Sequence, residues 1–246
     1  GTLQATYEFQ SLICQLTGME VANAGMYDGA TALAEAALMA CRATKKYKVT
    51  ALDTLSPRYQ EVLLTYLKPQ GIEFCLTGSE SIELENSSCL LVQYPNHLGY
   101  MEDLSYLSRE THKNGGLFIV SVDPIALGMF SPPGDYDADI VTGECQPLGI
   151  PLSFGGPYAG LLACKKEYLR QMPGRIVGST TDQQNRKGYV LTLQTREQHI
   201  RRQRATSNIC TSESLMSLTA AIYLATLGRR GLRQIAEACY HKSHYA

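Results

Sequence analysis

Short apolar stretches alternate with helical patterns along this chain of 246 residues, and that alternation restricts its possible folds more than any other feature. The clearest stretch is Leu117–Val122, which carries no charged residue. A short, nearly continuous apolar run is typical of a strand that is covered on both faces. Further strands are predicted at 48–52, 72–76, 89–93, 140–141 and 159–164. Strands separated by helices in this way indicate an α/β fold with a mainly parallel, doubly covered sheet.

The segments between the strands show helical spacing. In the first of them Phe9, Leu12, Ile13 and Leu16 recur at helical intervals, and Gly18 can end the helix. Further helices are predicted at about 29–44, 57–68, 102–113, 213–227 and from 231 onward, and a hairpin is predicted at 176–180 and 189–193. No linker or internal repeat interrupts this pattern, so the whole chain is predicted to form a single domain.

Charge and hydropathy exclude several kinds of partner. The 22 basic and 23 acidic residues leave a net charge of −1, so we expect neither nucleic acid nor an acidic membrane surface as a partner. No stretch approaches the ~20 apolar residues that a membrane-spanning helix needs, so no membrane association is expected.

The eight cysteines argue against a metal or redox centre. No pair has CxxC spacing, which disfavours a zinc or thioredoxin-type site, and we expect no metal. Cys75, Cys89 and Cys164 lie within apolar runs and are predicted to be buried small hydrophobes. Free cysteines of this kind are typical of a reducing compartment, which predicts a cytoplasmic location.

In a mainly parallel sheet, ligands bind at the carboxyl ends of the strands, which directs attention here to the helix start near Asp28, to Asp123 and to 143–146. The first is Asp28-Gly29-Ala30-Thr31, where small residues open a helix whose free N–H groups can hold an anion. Simple capping by Asp28 is the favoured interpretation, because its own charge disfavours an anion beside it. The second is Asp123, which can pair with the protonated ring nitrogen of a cofactor or serve as a turn residue before Pro124.

A further candidate is the loop that contains Gly155 and Gly156, where paired glycines allow close approach of a ligand or a tight turn. The sequence has neither GxGxxG nor GxxxxGK[ST], so a nicotinamide or P-loop site lacks its usual fingerprint. Further on, 196–204 contains four arginines that can bind an anion or a partner, although a solvated helix face is the favoured interpretation. His199 alone is weak evidence for acid–base catalysis.

None of the lysines is suited to forming an imine with a cofactor. A lysine that does so is usually kept in an apolar setting that lowers its pKa. The lysines here lie instead at polar helix ends, in turns or at strand-to-helix junctions, at positions 45, 46, 48, 68, 113, 165, 166, 187 and 242.

Several long stretches resemble the P-protein family of the glycine cleavage system. One of them is Met-Pro-Gly-Arg-Ile-Val-Gly at 172–178, and such matches are far more specific than any short motif. The others span nearly the whole chain in order, at 1–5, 9–14, 22–24, 27–32, 149–151, 155–159, 194–202 and 205–211. The sequence of 27–31 resembles most closely the separate bacterial subunit 1 of this family.

The resemblance implies a fold and a missing residue. Both homologous halves of the family resemble the large domain of fold-type I transferases that depend on pyridoxal phosphate (PLP), with a mainly parallel mixed sheet covered by helices. One half carries its imine-forming lysine in a His-Lys pair shortly before an Ile-Pro sequence. Here Cys145-Gln146 precedes Ile150-Pro151, so Gln146 falls on the lysine position. Residues 1–246 would then be one large domain without the family's N-terminal region and small C-terminal domain.

The resemblance also implies an activity. The family decarboxylates glycine and passes the aminomethyl group to the lipoyl arm of H-protein. Since glutamine cannot form the imine, PLP is expected on a lysine-bearing subunit 2, in a bacterial heterotetramer, and not covalently on this chain. No catalytic residue is therefore expected here.

What remains of the site is expected to be a relic or to be shared with the partner. The residues assigned to it are Asp28, Gly29, Thr31, Asp123, Gly155 and Gly156. Those assigned to the interface with the partner are Arg196, His199, Thr206, Asn208 and Thr211. If side chains fill the old pocket, the candidates are Met26, Tyr27 and Phe154.

Two alternatives stay open. One is an independent PLP enzyme of aminotransferase type, which the missing lysine argues against. The other is a non-enzymatic module that binds an anionic partner through its arginines, which the neutral net charge argues against.

Overall fold

A seven-stranded sheet forms the centre of the fold in the computed structural model, which describes residues 1–194, 197–210 and 212–246. Its strands are β1 (Val21–Ala22), β2 (Lys48–Leu52), β3 (Glu73–Thr77), β4 (Cys89–Tyr94), β5 (Leu117–Val122), β6 (Ile140–Glu144) and β7 (Gly160–Cys164). Their order across the sheet is β1-β7-β6-β5-β4-β2-β3. The strands from β6 to β3 are parallel, whereas β7 and β1 are antiparallel to their neighbours. The predicted mainly parallel mixed sheet is therefore confirmed.

Helices cover both faces of this sheet. They are α1 (Thr2–Thr17), α2 (Gly29–Thr44), α3 (Pro57–Leu67), α4 (Leu104–Lys113), α5 (Gln198–Arg201) and α6 (Ser214–Tyr245). Gly18 ends α1 in the left-handed conformation with φ of 71°, as the sequence predicted. The two predicted C-terminal helices form the single element α6, which Gly228 interrupts with φ of 58° and ψ of −175°.

Strand β5 shows why the sheet needs two covers. Phe118 and Val120 face the core beneath α1, α4 and α6, whereas Leu117 and Ile119 face the core beneath α2 and α3. Both faces of the strand are buried, and burying each large apolar side chain contributes roughly 1.5–3 kcal/mol. This double burial is what the continuous apolar run indicated.

Two differences from the predicted strands have identifiable causes. Strand β1 is too short to show a period, and its register follows from pairing with β7, where Val21 lies opposite Cys164. Strand β6 extends beyond the predicted 140–141 through Gly143 to Glu144. A side chain at Gly143 would lie 2.7 Å from the carbonyl oxygen of Val122, so glycine lets this strand pack closely beside β5. The predicted hairpin is present as β8 (Ile176–Thr181) and β9 (Lys187–Thr192).

Two of the three cysteines assigned to the core are buried there. Cys89 and Cys164 are fully buried, as predicted. The prediction for Cys75 is wrong: it lies on β3, the edge strand of the sheet, and is only partly covered. Among the described residues, no helix is long and apolar enough to cross a membrane.

Candidate functional site at the carboxyl edge of the sheet

The carboxyl ends of β5 and β6 and the first turn of α2 meet at one edge of the sheet. Asp123 directly follows β5, and Glu144 is the last residue of β6. Asp28 precedes α2 as its N-cap. Three carboxylates therefore come together at the edge where α/β proteins bind their ligands.

Asp28 uses its side chain to cap α2. Its Oδ1 accepts hydrogen bonds from the backbone N–H groups of Ala30 and Thr31, both at 2.9 Å. Its Oδ2 accepts a third bond from the Thr31 hydroxyl at 3.0 Å. The capping interpretation of this segment is confirmed, and two of the free N–H groups at the helix start are already occupied.

Glu144 occupies the next N–H group. Its Oε2 accepts from the backbone of Gly29 at 2.9 Å, while its Oε1 accepts from the backbone of Gln146 at 2.9 Å. Burial raises the pKa of this carboxyl group, the nearby charge of Asp28 adds to the rise, and the hydrogen bonds oppose it. The sequence did not single out Glu144, although it lies within the strand end that the topology rule had indicated.

Gly29 lets the helix start lie directly against the sheet. A side chain there would lie 2.5 Å from the Tyr59 hydroxyl oxygen and 2.9 Å from the backbone nitrogen of Glu144. Burial raises the pKa of Tyr59, and the charges of Glu144, Asp28 and Asp123 raise it further. All three carboxylates therefore act on the same hydroxyl group, which the sequence analysis had not assigned to the site.

Asp123 lies at the mouth of this edge. Its Oδ1 accepts from the backbone N–H of Ile125 at 2.9 Å, which makes it the turn residue of a short loop. The residue is exposed, but the surrounding protein excludes water from much of the carboxyl group, and this desolvation raises its pKa. No ion pair joins Asp123, Asp28 or Glu144 to a cation in the described part of the chain.

Gln146, which the resemblance places at the family's lysine position, holds the loop that follows. Its Nε2 donates to the carbonyl of Ile150 at 2.8 Å, while its own N–H is held by Glu144. The backbone N–H and the side-chain amide nitrogen of Gln146 therefore both donate to groups near the loop, and the side chain is half-buried.

These residues do not fit PLP. The cofactor needs a lysine for its aldehyde and an anion site for its phosphate. Here the lysine position is Gln146, and carboxylates already fill the N–H groups of Gly29, Ala30 and Thr31. A phosphate placed beside three carboxylates without a paired cation would meet strong repulsion. The described residues also contain no group of carboxylate, histidine or cysteine side chains arranged to hold a metal ion.

The glycine-rich loop lies between β6 and β7. Gly155 has φ of 114° and Gly156 has φ of 143°, and no atom lies within 4 Å of the Cβ position at Gly155. Phe154 is completely exposed, so the prediction that it helps to fill the pocket is wrong. Met26 is fully buried in the core, and the Tyr27 hydroxyl accepts from the backbone of Cys210 at 3.0 Å.

The residues assigned to the interface fall into three groups. His199 is exposed and lies 3.5 Å from the Glu197 carboxylate. Thr206 and Asn208 line a groove on the outer side of α2. Arg196 and Thr211 lie outside the described residues. Their assignment to a partner interface stays a prediction.

Comparison with known proteins places this geometry in a family. A family model described as glycine cleavage system P-protein matches residues 1–246. The chain is 54% identical over 256 residues to the probable glycine dehydrogenase (decarboxylating) subunit 1 of Desulforamulus reducens, covering 100% of this chain and 57% of that protein. It is 52% identical over 257 residues to the same subunit of Thermomicrobium roseum, again covering 100% of this chain and 57% of the relative. The chain thus spans little more than half the length of these relatives.

Solved structures agree with the sequence comparison. A crystal structure of glycine decarboxylase (P-protein) of the glycine cleavage system, in an inhibitor-bound form, superposes with a TM-score of 0.91 at 47% identity, over 95% of this chain and 55% of that one. A putative L-allo-threonine aldolase from Listeria monocytogenes superposes with a TM-score of 0.61 at 16% identity, over 94% of this chain and 60% of that one. This second likeness concerns the fold alone, which is that of fold-type I PLP-dependent enzymes.

Proposed function

The chain belongs to the glycine cleavage system P-protein family, and on that premise we propose that it is part of subunit 1 of a glycine decarboxylase, the subunit without the cofactor. The proposed complex decarboxylates glycine and passes its aminomethyl group to the lipoyl arm of H-protein. PLP is bound on a lysine-bearing partner subunit, and this chain supports that subunit's active site. The proposed location is the bacterial cytoplasm.

The hydrogen bonds of Glu144 carry the proposal. Its carboxylate joins the start of α2 to the lysine position by accepting from the N–H groups of Gly29 and Gln146. An internal carboxylate therefore lies where the cofactor's phosphate would need free donors. A missing lysine alone could be a single substitution, whereas the filled anion site makes the whole edge unsuited to PLP. This argues against an independent PLP enzyme.

The closed edge still has a use in a complex. Its hydrogen bonds hold the ends of β5 and β6 and the start of α2 in one arrangement without a ligand. We propose that the neighbouring loop with Gly155 and Gly156 contacts the partner, since it projects from the fold with Leu152 and Phe154 exposed. The rest of the relatives' length is proposed to supply an N-terminal region and a small C-terminal domain.

Reconstitution tests this function. The full-length protein is combined with the lysine-bearing subunit and lipoylated H-protein, and the exchange of bicarbonate with the carboxyl group of glycine is measured. We expect exchange only when both subunits are present. Full activity of the lysine-bearing subunit alone, or activity of this protein alone, would contradict the proposal.

A further inference from the structure

A groove with a volume of about 460 Å³ lies on the outer side of α2, away from the three carboxylates. One wall is α2, a second is the end of α3, and the third is the irregular segment 205–208. The side chains that matter for its chemistry are those of Glu35, Leu38, Arg42, Tyr66 and Ser207.

Glu35 brings a buried and incompletely bonded carboxylate to this groove. The residue is only 4% exposed. Its Oε1 accepts from the Ser207 hydroxyl at 2.7 Å, whereas its Oε2 is buried and has no hydrogen-bond partner among the described residues. Buried carboxylate oxygens are normally bonded, because water no longer solvates them. The free oxygen therefore marks a place for a donor that is missing here.

Arg42 brings the opposite charge to the groove, and its hydrogen bonds are also incomplete among the described residues. Within the described part of the chain, its Nε is buried without a partner, and its Nη2 donates only to the Gln171 carbonyl at 3.4 Å. Arg42 lies seven residues after Glu35, so both project from the same face of α2, about 10.5 Å apart along its axis. The two form no direct ion pair, although each charge influences the pKa of the other.

The two charges define the ligand. Because Glu35 and Arg42 balance, a ligand with only a positive or only a negative group would leave one buried charge uncompensated. A molecule that carries both an ammonium and a carboxylate group compensates both. Leu38, which lies between them on the same face of α2, offers an apolar contact for the carbon between those groups.

We propose that this groove binds a free α-amino acid in its zwitterionic form, with the ammonium group at Glu35 Oε2 and the carboxylate group at Arg42 Nε. A ligand reaches these atoms by a small movement of 205–208, which belongs to neither helix nor strand. Binding then orders that segment. The Ser207 hydroxyl donates a hydrogen bond to Glu35 Oε1. Three residues further on, the backbone N–H of Cys210 donates to the Tyr27 hydroxyl oxygen.

The competing explanation is that ordered water completes both groups, as it does for many buried polar atoms. Water and an amino acid differ in what they predict. Only the amino acid site distinguishes ligands by charge, and only that site changes the protection of 205–210 from hydrogen exchange when a ligand is added.

Calorimetric titration of the full chain without PLP or partner tests the proposal. The probes are glycine and alanine, with glycinamide as the cationic analogue and acetate as the anionic one. We expect saturable binding of the two amino acids, binding more than about tenfold weaker for either analogue, and greater protection of 205–210. Absence of saturable binding up to about 10 mM, or equal binding of glycinamide or acetate, would overturn the proposal.

Matched variants locate the site. Glu35→Gln and Arg42→Lys keep the size of each side chain, and each should weaken glycine binding by about tenfold or more. Glu61→Gln and Arg58→Lys on the exposed surface of α3 are the controls and should leave binding unchanged. Unchanged binding in both groove variants would place the ligand elsewhere and refute the assignment. This inference does not depend on the proposed function, because glycine–bicarbonate exchange tests the complex and this titration tests one chain.

Discussion

The two edges of the central sheet treat buried charge in opposite ways. At the amino edge, Asp139 is buried and its carboxylate lies 2.7 Å from the Lys165 ammonium and 2.7 Å from His112 Nε2. It also accepts from the backbone N–H of Phe118 at 2.8 Å. At the carboxyl edge, Asp28, Asp123 and Glu144 gather around Tyr59 without a paired cation among the described residues. One edge balances its charges, and the other accumulates charge of one sign.

The difference indicates which edge serves stability and which was shaped by ligand chemistry. Charges that are paired and hydrogen-bonded favour a single folded arrangement. Carboxylates without a paired cation, with a pKa raised by burial, are more common where a protein binds or reacts, and they lower stability at neutral pH. The carboxyl edge thus keeps the electrostatic character of a ligand site, although its donors are already occupied by its own carboxylates.

Removing the central carboxylate of the amino edge should have the largest effect. Asp139→Ala leaves the Lys165 ammonium, His112 and the Phe118 N–H without their shared acceptor. We expect a loss of about 3 kcal/mol in the free energy of unfolding, measured by urea titration, because the buried Phe118 N–H loses its acceptor and the hydrogen bonds from Lys165 and His112 to a buried carboxylate are lost, although Asp137 still pairs with Lys165. Asp182→Asn, which removes a surface partner of Arg186, is the control and should change little. Similar small effects for both variants would contradict the assigned role of this edge.

Packing at the carboxyl edge gives the next largest effect. In Gly29→Ala the added methyl group meets Tyr59 and the backbone of Glu144, so we expect a loss of about 1–3 kcal/mol from overpacking. Gly78→Ala is the matched control, since its nearest atom is an ordinary contact at 3.8 Å from Ser81 Oγ. Equal stability of the two variants in urea titration would mean that α2 does not lie as close to β6 as described.

The pH dependence of stability should differ in sign between the edges, with the smallest effects. Hydrogen bonding to Lys165 lowers the pKa of Asp137 below its ordinary 3.8, so its contribution is present above that value and is lost as pH falls through the folded pKa. Burial raises the pKa of Asp123 above 3.8, so stability decreases as pH rises from that value through the folded pKa.

Two variants separate these slopes. Asp137→Asn should reduce the loss of unfolding free energy that occurs as pH falls. The reduction should be less than about 1 kcal/mol, because the side chain is well exposed. Asp123→Asn should remove a loss of stability as pH rises above about 4. The check is urea titration at a series of pH values. Slopes that change in the same direction in both variants would show that the edges do not differ electrostatically.

The fold could be predicted from the sequence because it rests on apolar patterns. The run Leu117–Val122 alternates between two buried cores, and that double burial is visible in composition alone. The short strand β1 could not be predicted, since its position depends on pairing with the distant β7. Cys75 was assigned to the core because its neighbours are apolar. Its strand lies at the edge of the sheet, and the order of strands across a sheet cannot be read from local sequence.

The candidate site was predictable only in part. The capping role of Asp28 follows from local chemistry, and Gln146 could be placed by resemblance to a family. Glu144 could not be recognised, because its role depends on a hydrogen bond to Gly29 from 115 residues away. Phe154 was named as a candidate to fill the pocket, but its side chain is completely exposed in a segment with positive φ at 153–156.

We infer that this chain's carboxyl edge cannot hold PLP even with a lysine at position 146. The measurement is the visible absorption spectrum of the wild-type chain and of Gln146→Lys mixed with PLP, followed by borohydride reduction and mass analysis. We predict no stable imine band and no stoichiometric adduct in either protein, because Glu144 and Asp28 fill the phosphate's donors. A stoichiometric adduct on one lysine, in the wild-type chain or at position 146 of the variant, would contradict the account.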